Sequence, residues 1–115
     1  MTHPVIDVIF SLEHKREELR TRKDDVYEQM HALEEEATCS VECRYEETKD
    51  KTLSNAGKRR RAADELLEKS STYQDLREEY RDVSGAVRRM GFEIDREKRR
   101  FAFDCADRSG GIIEC

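Results

Sequence analysis

Long apolar runs are missing from this sequence, and with them any stretch of about 18 residues that could cross a membrane as a helix. The opening residues, Met1 to Phe10, have no basic lead, and Asp7 interrupts their apolar stretch. No secretory leader is expected from this pattern, and the cytosol is the default compartment. There the four cysteines are expected as free thiols. Tryptophan is absent, proline occurs once and glycine five times, so no proline-rich or flexible linker divides the chain. Apolar residues make up only 36% of it, against 43% charged. Such a balance fits either a disordered chain or a coiled coil, whose narrow apolar seam leaves most of each helix in water. Periodicity decides between them.

Leu66, Tyr73, Tyr80, Val87, Ile94 and Phe101 recur at seven-residue intervals, and Leu76, Val83 and Met90 each follow a member of that series by three. This is an a/d heptad pattern sustained over about five repeats, and a disordered chain has no reason to keep it. Leu12, Leu19, Val26 and Leu33 repeat the theme in the first half, with Met30 and Ala37 four residues after the last two. Arg16 and Lys23 hold the equivalent earlier positions, where their stems cover a seam without filling it. Val5, Ile6, Val8, Ile9 and Phe10 form an apolar knot at the start.

The expected fold is all-α. The 115 residues form a single domain, with helix one over about 5–46, a loop over about 48–54, helix two over about 55–103 and a flexible tail over 105–115. Ser54 is the expected N-cap of helix two. So short a connection favours a long antiparallel two-helix coiled-coil hairpin, in which positions summing to about 102 face each other. Ile94 then meets Val8, Tyr73 meets Met30, and Leu66 lies near Leu33 and Ala37. Gly85 and Gly91 lie off the seam and mark either a local bend or the close approach of another helix. A lone pair of such helices buries too little to stand alone, so a dimeric four-helix bundle is expected.

Signatures of catalysis are also missing. His3, His14 and His31 pair with no nucleophile in a recognisable pattern, and no phosphate-cradling glycine loop or His-Glu-x-x-His occurs. A two-helix arm offers no deep pocket, so neither an enzyme nor a cofactor is expected. Cys39 and Cys43 are four apart and share a helical face, as two metal ligands could. Zinc, however, normally takes four ligands with a two-residue knuckle spacing, and Cys105 and Cys115 fall at the other end of the hairpin. The thiols are therefore read as structural or incidental, with no metal.

Net charge is −5, so a case for nucleic acid must come from local clustering. Acids crowd residues 24–50, with Asp24, Asp25, Glu28, Glu34, Glu35, Glu36, Glu42, Glu46, Glu47 and Asp50 against Arg44 and Lys49. One basic cluster, Lys58 to Arg61, is expected to be neutralised by Glu46 and Glu47. A second comprises Arg88, Arg89, Arg96, Lys98, Arg99 and Arg100, and the hairpin brings Lys15, Arg16 and Arg20 alongside it. These nine residues are the candidate phosphate contacts. The alternative is a solvated helix face diluted by Glu13, Glu17, Glu18, Glu93, Asp95 and Glu97. With no aromatic stacking platform, little base readout is expected.

Three segments, Thr52–Ala63, Ser71–Tyr80 and Phe92–Phe101, resemble a diffuse family of small phage and prophage coiled-coil proteins. The shared pattern is a Leu-Ser-Asn cap before Lys-Arg-rich residues, a Tyr-Gln-x-Leu segment and a basic block ending in phenylalanine. It covers about residues 50–103. Gly57 stands where a glutamate would complete the capping box, and Gly85, Gly91 and the cysteine pair depart from the pattern. The resemblance implies mobile-element origin, a prokaryotic host cytoplasm and an accessory role in DNA metabolism. Two functions follow as expectations. One is a homodimer that binds DNA or a DNA-processing protein. The other is a protein-interaction inhibitor, of a host nuclease or immune effector, acting through the acidic face.

Overall fold

The computed structural model describes residues 4–108, and all of the regular structure among them is helical. Helix α1 spans Pro4–Thr48, a 3-10 turn spans Lys51–Leu53, α2 spans Ala56–Lys69 and α3 spans Ser71–Arg108. Pro4 opens α1 where its missing N–H costs nothing. Ile9, Leu12, Arg16, Leu19, Lys23, Val26, Met30, Leu33 and Ala37 then alternate steps of three and four, and all are buried or half-buried. Beyond Ala37 the steps become four, which carries Val41 and Tyr45 inward as well. Lys49 ends the helix. Its backbone adopts the left-handed conformation (φ 51°), and its N–H donates to the Tyr45 carbonyl at 2.8 Å.

The connection is ordered by hydrogen bonds rather than left loose. Asp50 accepts from the Thr52 amide (2.9 Å) and hydroxyl (2.8 Å). The two bonds, with the Arg44 charge, hold its carboxyl below the ordinary aspartate range. The N-cap of α2 is Asn55, not Ser54: its side chain accepts from the Lys58 amide at 2.9 Å, while Ser54 closes the 3-10 turn. That extra turn, which buries Leu53, displaces the cap by one residue.

Helix two is not continuous. Ser70 is extended (φ −83°, ψ 112°) and serves both neighbours. Its N–H caps α2 on the Leu67 carbonyl (3.1 Å), and its hydroxyl accepts the Tyr73 amide (3.2 Å) at the start of α3. The break shifts the helical phase. Leu66, expected in the seam, is 42% exposed, and Ala63 and Leu67 turn inward instead. At the other end α3 runs to Arg108, past the expected limit of 103, because no helix breaker occurs before Ser109. The rest of the anticipated tail, 109–115, lies outside the described residues.

The chain divides into two compact units, a central one (23–81) and a terminal one (residues up to 22 and from 82 on). Ala37, Val41, Leu53 and Ala63 form the core of the central unit, with Tyr45, Ala62 and Leu67 packed against them. The Tyr73 hydroxyl donates to Glu34 at 2.8 Å, one turn beyond half-buried Met30. In the terminal unit Ile94 is 1% exposed and Ile9 is buried, whereas Val8 and Phe10 face outward. The expected apolar knot is thus a helix with one inward face, to which Ile9 belongs and Val8 and Phe10 do not.

Neither glycine of α3 marks an intimate contact. A Cβ at Gly91 would meet nothing within 4 Å, and one at Gly85 would meet only the tip of Arg89 at 3.4 Å. Gly91→Ala should therefore stabilise the protein by about 0.5–1 kcal/mol, since alanine fits the helical backbone and restricts the unfolded chain. A thermal melt followed by circular dichroism measures this; a lower melting temperature would reveal a crowding that this geometry lacks. Cysteine holds a surprise too. Cys39 and Cys43 are exposed and free, but Cys105 is disulfide-bonded. The expectation of four thiols is corrected at that position, since pairing needs only two suitably placed Cα atoms, which no spacing rule reveals.

Candidate nucleic-acid interface

The nine cations singled out from the sequence all belong to the terminal unit, but they are not equivalent. Arg16 occupies a seam position, and its Nε is enclosed without a hydrogen-bond partner. It is a half-buried core residue, not a surface cation. Arg20 donates to Glu17 at 2.8 Å, and Lys98 pairs with Glu13 at 3.4 Å. Arg96 reaches only its neighbour Glu97, at 4.0 Å. Lys15, Arg88, Arg89, Arg99 and Arg100 are exposed, and no ion pair among the described residues holds them. An exposed guanidinium without a carboxylate keeps all its donors for an outside acceptor.

Helical spacing sorts these residues further. At about 100° per residue, Arg88, Arg89, Arg96 and Arg99 fall within roughly 60° of Phe92 around the α3 axis. Arg100 lies at the edge of that sector, and Lys98 lies on a flank with Glu13. Phe103 returns to the centre of the same sector, three turns after Phe92. Phe92 is 66% exposed and Phe103 is 73% exposed. The inward line of α3, with Val83, Met90, Ile94 and Phe101, runs along the opposite side. The expectation of a surface without aromatic rings is therefore corrected. The signal was in the sequence: two phenylalanines eleven apart, neither in the heptad series.

The other basic cluster is tied into the central unit. Arg59 donates from Nε to Glu42 (2.9 Å) and from a terminal nitrogen to the Leu53 carbonyl (2.9 Å), while its guanidinium lies 4.8 Å from the centre of the Tyr45 ring. Lys58 donates to the Lys51 carbonyl (3.5 Å) and the Ser54 hydroxyl (3.4 Å). Glu46 pairs with Lys49 at 3.7 Å, so Glu46 and Glu47 are not the neutralising partners expected; Glu42 takes that place for Arg59. Arg60 and Arg61 stay exposed.

On the acidic stretch of α1, Glu34 receives the Tyr73 hydroxyl. Burial first, then this bond and the Glu34 charge, push the Tyr73 phenol above the ordinary tyrosine range. His31 lies 3.3 Å from Glu35 and stacks on Tyr27. Among the described residues no group of three histidine, cysteine or carboxylate side chains could hold a metal ion. Among the described residues no helix is long and apolar enough to cross a membrane. No family model matches this chain, and no curated protein or solved structure shows significant similarity to it.

Proposed function

We propose that this chain is a non-catalytic coiled-coil accessory protein of phage type, a cytoplasmic homodimer that binds DNA or a DNA-processing protein through the basic face of α3. One observation carries the reading: Arg88, Arg89, Arg99 and Arg100 are exposed on α3, and no ion pair among the described residues holds them. A structural arginine is tied to partners within its own fold, as Arg59 is to Glu42 and the Leu53 carbonyl. These four have been left for something else. The antiparallel hairpin belongs to the same proposal. Tyr73 reaching back to Glu34 in the central unit, and Lys98 to Glu13 in the terminal unit, each join a late residue to an early one and support it. The resemblance of residues 50–103 to phage coiled-coil proteins supports the DNA context.

The test is a binding titration with single- and double-stranded DNA at two salt concentrations. Each phosphate contact contributes about 0.7 (single strand) or 0.9 (duplex) to the slope of log affinity against log salt. Replacing the four arginines with glutamine should flatten that slope by about three units while leaving helicity intact. Wild-type binding weaker than about 100 µM at low salt, below the usual range for non-specific contacts, would overturn the proposal. The acidic stretch of α1 would then be the interacting surface. Asp24, Asp25, Glu28, Glu36 and Glu47 are exposed along it without an ion pair, as an inhibitor that mimics a phosphate backbone requires.

A further inference from the structure

The outward sector of α3 is neither a plain basic patch nor a plain apolar one. Phe92 and Phe103 sit at its centre, 66% and 73% exposed, where a soluble helix would ordinarily carry polar residues. Their separation of eleven residues corresponds to about 16 Å along the axis, with an angular offset of only about 20°. Arg96 and Arg99 lie between the rings, and Arg88 and Arg89 lie one turn before the first. Asp95 is the acid at the edge of this sector, next to Phe92, Lys98 and Arg99. The order along the helix is cation, ring, cation, ring.

We infer that this sector is a single-strand nucleic-acid platform, in which the arginines take phosphates and the two rings stack on unpaired bases; the inference rests on the nucleic-acid reading above. Unpaired strands present this same alternation of anion and flat apolar face, and proteins that hold them without sequence preference combine a basic track with aromatic rings. A duplex presents the anions but covers the base faces, so it would use the arginines and leave the rings idle. An anionic membrane surface would use both, but membrane-seated helices bury a broad apolar face. The broad apolar face of α3 is already turned inward along Val83, Met90, Ile94 and Phe101. Two rings among four arginines make too small an apolar area for it. At about 3.4 Å per stacked nucleotide, 16 Å accommodates roughly five nucleotides between the rings.

The experiment compares oligothymidylate of about 20 nucleotides, an abasic strand of the same length, a hairpin duplex and phosphatidylglycerol vesicles. The proteins are wild type, Phe92→Ala/Phe103→Ala and Phe92→Leu/Phe103→Leu. Both rings are exposed, so neither double variant should alter the helical spectrum. Wild type should prefer oligothymidylate to the abasic strand by about 20-fold or more, at least about fivefold per stacked ring. Both double variants should lose that preference while keeping the wild-type salt slope and the wild-type affinity for duplex. Equal binding of the abasic strand and oligothymidylate would overturn the platform and leave the phosphate-contact proposal standing. Failure to bind any of the nucleic acids would overturn both. Tighter binding to vesicles than to oligothymidylate, retained in the leucine variant, would replace the platform with a membrane contact.

Discussion

Ile94→Asp is expected to destabilise the terminal unit severely. Ile94 is 1% exposed, in the inward line of α3, so an aspartate there would bury its carboxylate in an apolar line. Burying an unpaired charge costs several kcal/mol, on the order of the 3–5 kcal/mol seen when a buried pair loses one partner. Set against a total stability of about 5–15 kcal/mol, that is a large fraction of the whole, and the melting temperature should fall steeply. The control is Leu66→Asp. Leu66 belongs to the same seven-residue series, but Ser70 turns it outward, so its charge should cost within about 0.5 kcal/mol. Circular dichroism melts of the two variants decide the matter. Equal losses would mean that the heptad series alone, and not the break at Ser70, sets which residues face inward.

Leu53→Ala should cost about 2–5 kcal/mol, towards the upper part of that range. Leu53 is 2% exposed although it lies in the connection between helices, where most side chains are wet. It plugs the core of the central unit between Ala37, Val41 and Ala63. Alanines cannot swing into the space it would leave, so the cavity stays open and the lost contacts are not recovered. The Arg59 bond to the Leu53 carbonyl is a backbone contact and survives the substitution. The loss is thus read cleanly as packing. Urea unfolding measures it: a fall in midpoint at unchanged slope is expected. A change below about 1 kcal/mol would show that the connection is decoration on a core formed by the helices alone.

How much of this was legible before any coordinates? The long uninterrupted α1 was, because its three-four alternation from Leu12 to Ala37 has one interpretation. The inward course of Val41 and Tyr45 was missed: after Ala37 the steps lengthen to four, and a strict heptad template looks elsewhere. The end of α1 was approximate because Lys49 takes the left-handed position that a glycine would have announced. Ser70 did leave a trace, the run of hydroxyl residues Ser70, Ser71 and Thr72, which compete for backbone groups in a helix interior. The seven-residue series across it, from Leu66 to Tyr73, concealed the trace. Among the site residues, Arg88, Arg89, Arg99 and Arg100 were legible as charge. Arg16 was legible as a seam position from its spacing, and counting it among the phosphate contacts as well is what the structure corrects, since its Nε is enclosed. Phe92 and Phe103 were overlooked because exposure of an aromatic ring runs against its ordinary preference.

A uniform heptad seam has a weakness that composition does not show. Every seven-residue displacement of one strand of the ladder along the other recreates nearly the same set of apolar neighbours, so the pairing is close to periodic in energy. Proteins restrict such slippage by placing a feature that occurs only once. Ser70 is such a feature. Residues before it are phased to Ala63 and Leu67, residues after it to Tyr73 and Tyr80, and only one offset satisfies both sets. The hydrogen bonds on either side of it, Arg59 to Glu42 and Tyr73 to Glu34, then hold together or not at all. A break that weakens the helix as a rod gives the central unit a single zero from which all its other positions are counted.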